Sequence, residues 1–321
     1  MVTSVGEPAA DAVLSVDVAV IGAGPAGLSA ALNLVRARRT VLLVDANRPR
    51  NAATLRSHGF ITRDGVSPLE LRRLGRDEVA GYPEATVVQS VVDRVAREGG
   101  AWTVHGTWRG TELDARARSV VVATGLREEF PAFPSLRAFY GTSVHSCVEC
   151  DGYEHSGAPL AFLCETADVV DRALLVATWT DDLVVYTNAA AVLDDRARAR
   201  LAAAGVGLDE RPVADLEGDR NGLTGVRLAD GDVRAHTGAF VRPRWHADLD
   251  WIEARLDRDA DGLVRVDRLG RTGVAGLYAV GDVTPPGPEQ LVVAAGHGAV
   301  TAAAVHRDLV SGLEDLRDAV Q

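Results

Sequence analysis

Two cysteines separated by two residues carry the most reactive chemistry that this sequence offers: Cys147-Val-Glu-Cys150, followed by Asp151-Gly152-Tyr153. A CxxC at the start of a helix brings two sulfurs to bonding distance. The helix terminus favours the thiolate, the form that attacks disulfides. Asp151 is placed to carry the proton that moves when thiol and thiolate interchange. Zinc is one competing use of such a pair, but the chain has only three cysteines. Cys164 stands alone, with no second CxxC or CxxH, so no metal is expected. An inert buried pair is the other alternative. Cys164 reads as a small core residue. His145, two residues before Cys147, is a candidate for tuning the thiolate, with plain packing as the alternative.

A second constellation is Gly22-Ala-Gly24-Pro25-Ala26-Gly27. The first glycine permits a tight turn, the second lets backbone approach a pyrophosphate, and the third lets helix pack on strand. The helix N-terminus adds free N–H groups and partial positive charge. The β-branched run Val16–Ile21 precedes the glycines, and a helical pattern, Leu28–Ala37, follows them. Thr40–Val44 then ends at Asp45, where a carboxylate can accept hydrogen bonds from a ribose. The order predicts a nucleotide-binding βαβ unit. By itself it does not separate FAD from NAD.

The elements that must position these residues follow from the pattern. Glu84–Leu113 alternates apolar and polar positions, with turns at Gly99-Gly100 and Gly110, and predicts an antiparallel β insertion. Ser119–Ala123 is a buried strand ending at Thr124-Gly125. Leu160–Cys164, Val169–Ala177 and Asp182–Tyr186 predict a second strand–helix–strand passage. Leu277–Val280 precedes Gly281-Asp282 and a helix over Glu289–Leu309. The expected fold is α/β: a Rossmann-like domain over 1–141 and 255–321, split by a similar inserted domain over 142–254. Phe240–Trp251 falls at the return and reads either as an aromatic lid or as packing.

Val121-Val-Ala-Thr124-Gly125 and Leu277-Tyr-Ala-Val-Gly281-Asp282 resemble the second and third FAD motifs of two-dinucleotide flavoproteins, so FAD is the expected cofactor. With CxxCDG between them, the order resembles low-molecular-weight thioredoxin reductases over nearly the whole chain after about Ser15. The resemblance implies a homodimer in which Cys150 meets the flavin, Cys147 meets the substrate and Asp151 transfers the proton. It carries cofactor contacts onto Gly22, Gly24, Pro25, Ala26, Gly27, Asp45, Ala46, Thr124, Gly125, Gly281, Asp282, Gln290 and Leu291. A narrower match runs through Arg48-Pro-Arg-Asn51, Ser57-His58-Gly-Phe60, Arg63-Asp-Gly65, a helix over Pro68–Val79 and Trp179-Thr-Asp-Asp182. It is similar to the flavin-dependent dithiol oxidases of gliotoxin and holomycin biosynthesis, and adds Asn51 and His58 as cofactor contacts. Many of those oxidases have His after the second cysteine; Asp151 is reductase-like. His297, in the last helix, is a further candidate near the flavin.

A thioredoxin reductase also needs an NADPH site. The inserted domain should carry glycines after its first strand, yet it reads Cys164-Glu165-Thr166-Ala167-Asp168. Side chains there obstruct a pyrophosphate, and two carboxylates repel it. The next strand ends Tyr186-Thr-Asn188-Ala-Ala-Ala191, with no cation for a 2′-phosphate. The expected activity is therefore oxidation of a small-molecule dithiol, with electrons passing to O2 and giving H2O2. The alternatives are a disulfide reductase fed by NADPH or another donor, serving a thioredoxin-like protein, and a non-catalytic flavin-binding protein.

With 34 basic against 45 acidic residues, the net charge of −11 argues against nucleic acid or an anionic membrane as partner. No apolar stretch approaches the roughly 20 residues of a membrane span. The first fifteen residues lack a basic n-region and an apolar core, so they read as a tail, not a signal peptide, and the expected location is cytoplasmic.

Overall fold

The computed structural model describes residues 13–285 and 287–312. The chain begins with β1 (Leu14–Ile21), α1 (Pro25–Arg36), β2 (Val41–Asp45) and α2 (Pro68–Ala80). Next come β3 (Ala85–Gln89), β4 (Val91–Glu98), β5 (Ala101–Trp108) and β6 (Thr111–Val122). The middle holds β7 (Arg127–Glu129), α3 (Leu136–Phe139), β8 (Val144–His145), α4 (Val148–Asp151), β9 (Leu160–Leu163), α5 (Val169–Val176) and β10 (Leu183–Tyr186). It continues through α6 (Asp195–Ala203), β11 (Gly207–Asp209), β12 (Val213–Asp219), β13 (Gly222–Leu228), β14 (Val233–Ala235), β15 (Gly238–Val241) and β16 (Arg244–His246). The chain then gives β17 (Leu277–Ala279) and α7 (Leu291–Ser311).

These elements form two compact units. One takes the described residues up to Arg50, then Gly59–Arg127, then those from His246 onward; the other takes Asn51–His58 and Glu128–Trp245. The sequence pattern places the divisions after 141 and after 254. Phe133, Leu136 and Phe139 pack into the second unit's core with Leu163 and Val226, so the first division falls earlier. Leu249 and Ile252 pack with Val95 and Trp102 in the first unit, so the second also falls earlier. The short segment Asn51–His58 is a crossing that no pattern in the sequence announces.

The first unit is built on a sheet of order β3-β2-β1-β6-β5-β4, with β17 also paired to β6. β1 shows why it is central: Val18 and Val20 face one core while Ala19 and Ile21 face the other, as a strand covered on both sides requires. On one face α1 and α7 pack together. A Cβ at Gly298 of α7 would collide with the Ala26 carbonyl, so glycine there permits the close helix contact. β3 corrects the sequence reading of Glu84–Leu113 as wholly antiparallel. It runs parallel to β2, because α2 provides a helical crossover; only β4, β5 and β6 are antiparallel neighbours.

The second unit has a parallel sheet of order β11-β10-β9-β15-β8 and a separate antiparallel sheet β12-β13-β14. Its β9–α5–β10 passage repeats the strand–helix–strand frame of β1–α1–β2. The stretch 226–240 comprises the end of β13, then β14 and the start of β15. Among the described residues no helix is long and apolar enough to cross a membrane.

Candidate active site

Cys147 and Cys150 form a disulfide, with Cα atoms 5.3 Å apart. The expected helix is a single turn, α4, with Cys147 at its N-cap position and Cys150 and Asp151 within it. The backbone N–H of Asp151 donates to the Cys147 carbonyl at 3.1 Å, closing the turn around the two sulfurs. Gly152 follows because a Cβ there would strike the Val148 carbonyl and come 3.0 Å from the Trp179 ring. Trp179, singled out in the sequence as part of a motif, thus seats the end of the cysteine turn. The Ser146 hydroxyl, just before Cys147, contacts the Tyr140 hydroxyl at 2.8 Å and donates to Glu128 at 3.2 Å. Sequence reading missed this Glu128–Tyr140–Ser146 network, whose members lie 6 and 18 residues apart with no periodic signal.

His145 is buried, and its Nδ1 lies 3.2 Å from Asp151 Oδ1. His58 is in this second unit, with Nε2 3.6 Å from Glu154. Asn51 belongs to the same unit. Cys164 is fully buried, and burial pushes its thiol pKa up, as expected of a core residue rather than a reactive one. Phe240 is also buried in the second unit's core, and Trp251 packs against the first unit's core, so both are packing residues.

The first unit assembles the remaining sequence-selected residues at one edge of its sheet. Gly22–Gly27 follows β1, Asp45 ends β2 with Ala46 after it, Thr124-Gly125 follows β6 and Gly281-Asp282 follows β17. These strands are mutually parallel, so the residues share the carboxyl edge where ligands bind in such folds. Gly22 has φ +108°, open to glycine alone at low cost, and a Cβ at Gly27 would collide with the Gly22 carbonyl. A Cβ at Gly24 would meet no protein atom within 4 Å, leaving room before the N-terminus of α1. Pro25 occupies the first helical turn, where no N–H is needed, and Ala26 and Gly27 leave theirs for an anion. A pyrophosphate fits this cradle.

Asp45 is buried and held from several sides. Arg72 donates to Oδ2 at 2.8 Å, Arg76 to the same oxygen at 2.9 Å, and the Asn47 N–H to Oδ1 at 2.7 Å. The two arginines sit four apart on α2, one face of a helix, a spacing the sequence displays but that only the fold connects to Asp45. Asp282 pairs with Arg50 at 2.7 Å. Burial pushes the Asp282 carboxyl above its ordinary range, and Arg50 opposes this. His297 Nδ1 accepts from the Gly281 N–H at 3.3 Å, and burial lowers its pKa. Asp282 and His297 line a cavity of about 310 Å³ with Val293 and Ala294 near the start of α7. Gln290 is the N-cap of that helix and Leu291 its first residue.

The second unit's corresponding turn is filled by its own side chains. Thr166 donates to Asp168 Oδ1 at 2.5 Å, while Arg172 and Arg242 donate to Oδ2 at 3.3 and 3.1 Å. Burial pushes the Asp168 carboxyl up, but Thr166, Arg242 and Arg172 outweigh it and hold the pKa below the ordinary value. Asn188 donates to Glu165 at 2.6 Å and accepts from the Val213 N–H at 2.7 Å. A fixed carboxylate therefore stands at the N-terminus of α5, where a dinucleotide phosphate would need to sit.

Comparison with known proteins matches this geometry. The family model for pyridine nucleotide-disulphide oxidoreductase matches residues 16–298. The crystal structure of HlmI is 40% identical, with TM-score 0.86, covering 95% of each chain. A putative thioredoxin reductase TrxB from Bacillus anthracis is 34% identical, with TM-score 0.86, covering 92% of this chain and 99% of that one. Thioredoxin reductase tcpT of Claviceps purpurea is 27% identical over 83% of this chain and 86% of its own. A probable thioredoxin reductase of Arthroderma benhamiae is 33% identical over 54% of this chain, a match spanning 43% of that protein's length. The chain belongs to the pyridine nucleotide-disulphide oxidoreductase family, and is a thioredoxin reductase-like, FAD-dependent disulfide oxidoreductase.

Proposed function

We propose that the chain is a dithiol oxidase: it closes a disulfide in a small-molecule dithiol and sends the electron pair through Cys147, Cys150 and FAD to molecular oxygen, giving hydrogen peroxide. The observation that carries the reading is the turn after β9. It has no glycine, and its carboxylate Asp168 is already held by Thr166, Arg172 and Arg242. An incoming phosphate finds that position at the start of α5 taken by the carboxylate, the arginines beside it already paired with it, and no cation on residues 187–191. With NADPH disfavoured, electrons enter through sulfur.

In the proposed sequence a substrate thiolate attacks Cys147 Sγ. The Cys147–Cys150 bond breaks, and Cys150 leaves as a thiolate. The second substrate thiol loses its proton and attacks the substrate sulfur of the mixed disulfide. The product disulfide forms and Cys147 leaves as a thiolate. Asp151 supplies or removes the proton at the cysteine pair. FAD held by the glycine cradle would supply the two-electron acceptor for the reduced cysteine pair, with oxygen as the final oxidant.

Gly22, Gly24, Pro25, Ala26 and Gly27 would hold the FAD pyrophosphate, and Asp45 and Ala46 a ribose, with Arg72 and Arg76 fixing the carboxylate in advance. Thr124, Gly125, Gly281, Asp282, Gln290 and Leu291 would line the rest, with Asn51 and His58 as further contacts. A natural-product precursor is the favoured substrate class, supported by the resemblance in the sequence and by the likeness to HlmI. A cytoplasmic homodimer is the matching proposal for location and assembly.

A reductase serving a thioredoxin-like protein is the second reading, favoured by one observation: the reductase-type Asp151 directly after Cys150. The experiment is oxygen consumption by the purified protein across a panel of dithiols, with peroxide detection. The oxidase reading expects one peroxide per disulfide formed, and none in Cys147→Ser or Cys150→Ser. Turnover with NADPH and a disulfide, without dithiol-driven oxygen uptake, supports the reductase.

A further inference from the structure

Behind the cysteine pair, the second unit places two histidines that the sulfur chemistry above does not use. His145, at the end of β8, is 7% exposed. Its Nε2 contacts the Thr142 carbonyl oxygen at 3.3 Å. A carbonyl only accepts, so Nε2 carries the hydrogen. The other ring nitrogen, Nδ1, faces Asp151 Oδ1 at 3.2 Å. A proton on Nδ1 makes this contact an ion pair with the carboxylate, so the two side chains are placed to act on one proton.

The surroundings keep that proton local. The His155 ring lies 5.0 Å from that of His145, and Phe240 of β15 lies 6.1 Å from both, closing the far side with an apolar ring. Burial and the neighbouring His145 lower the His155 pKa, while Asp151 and Glu154 raise it. The net direction leaves His155 as a neutral wall. Glu154 itself faces His58 at 3.6 Å.

We propose that His145 is a positioning residue for Asp151: the proton needed by the leaving cysteine thiolate is held between the two. As Cys147–Cys150 opens, the pair gives its proton to the thiolate, leaving carboxylate and neutral imidazole. The pair recovers it when that thiol must ionise to pass on its electrons. The inference rests on the cysteine pair being the thiol–disulfide centre and not on the electron acceptor, so failure of the oxygen assay would leave it standing.

The test is the rate at which dithiothreitol opens the disulfide in the holoenzyme under anaerobic conditions, followed against pH by quenching and alkylation. His145→Asn and Asp151→Asn should each slow the step about 100-fold and flatten its pH profile. The double variant should lose no more than the larger single loss, because the two act as one unit. His155→Phe should leave the profile in place. Multiplying losses, an unchanged profile in His145→Asn, or an equal loss in His155→Phe would overturn the proposal. Should a variant fail to fold, ¹⁵N-histidine spectra of the wild-type holoenzyme decide. His145 should carry hydrogen on Nε2 throughout, with an Nδ1 signal that changes when the disulfide is reduced. An Nδ1–H tautomer, or an Nδ1 signal blind to reduction, contradicts it.

Discussion

The same strand–turn–helix frame occurs twice in this chain, once with glycines and once without. After β1 the turn is Gly22-Ala-Gly24-Pro25-Ala26-Gly27; after β9 it is Cys164-Glu165-Thr166-Ala167-Asp168. In the first, backbone N–H groups and open space at Gly24 await an anion. In the second, a carboxylate, two arginines and a threonine satisfy one another. On the proposed function, the frame is retained for its packing without its ligand chemistry. β9 and α5 still bury Leu160, Phe162, Val169 and Ala173 in one core. What survives beside them is the cysteine turn, so the second unit reads as a scaffold for sulfur chemistry.

The comparison breaks most visibly at Gly27. Gly27→Ala forces a Cβ into the Gly22 carbonyl, and should cost about 3 kcal/mol and prevent FAD retention. A glycine introduced into the second unit's turn, Ala167→Gly, should leave FAD content unchanged and confer no NADPH binding. Flavin absorbance per protein and thermal unfolding measure both.

A smaller effect is expected at Arg50. Arg50→Met leaves the partly buried Asp282 without its 2.7 Å partner, at a cost of about 2 kcal/mol near pH 7. The Asp282 pKa is already raised in the folded state, so its contribution to stability is present below the unfolded value near about 4 and lost as pH rises through the folded value. Removing Arg50 raises it further, so the gap between variant and parent should widen from pH 4 to 7 in urea titrations. A constant gap would assign Arg50 a packing role only.

Asp168 has the opposite sign. Its folded pKa is depressed, so its stabilisation is present above the unfolded value and vanishes as pH falls through the folded one. Asp168→Asn should cost at most about 1 kcal/mol at pH 7, since the group is partly exposed and solvent screens it. The difference should close in acid.

Cys164 should show no effect at all. With its thiol buried and its pKa raised, it should resist alkylation in the folded protein at pH 8 while the reduced Cys147 and Cys150 react. Rapid labelling of a third thiol would make it more than a core residue.

Local chemistry was legible in the sequence where it lies within a few residues. The glycine turn, Asp45, the cysteine turn and the eroded second turn could all be read from spacing. Contacts between distant segments could not. Arg72 and Arg76 reach Asp45 across 27 and 31 residues, and Arg50 reaches Asp282 across 232. The parallel direction of β3 depends on α2 packing as a crossover, which alternation alone does not encode. The division near Arg127 depends on where Phe133 and Phe139 find a core. His145 was legible as a neighbour of the pair, but its link to Asp151 needs the bend between β8 and α4.

The most direct measurement is an anaerobic titration of the flavin band. The account predicts that a dithiol bleaches it, that NADPH in large excess does not, and that air restores the colour with an equivalent of peroxide. Bleaching by NADPH at stoichiometric amounts would contradict it, because the turn after β9 would then be a working dinucleotide site.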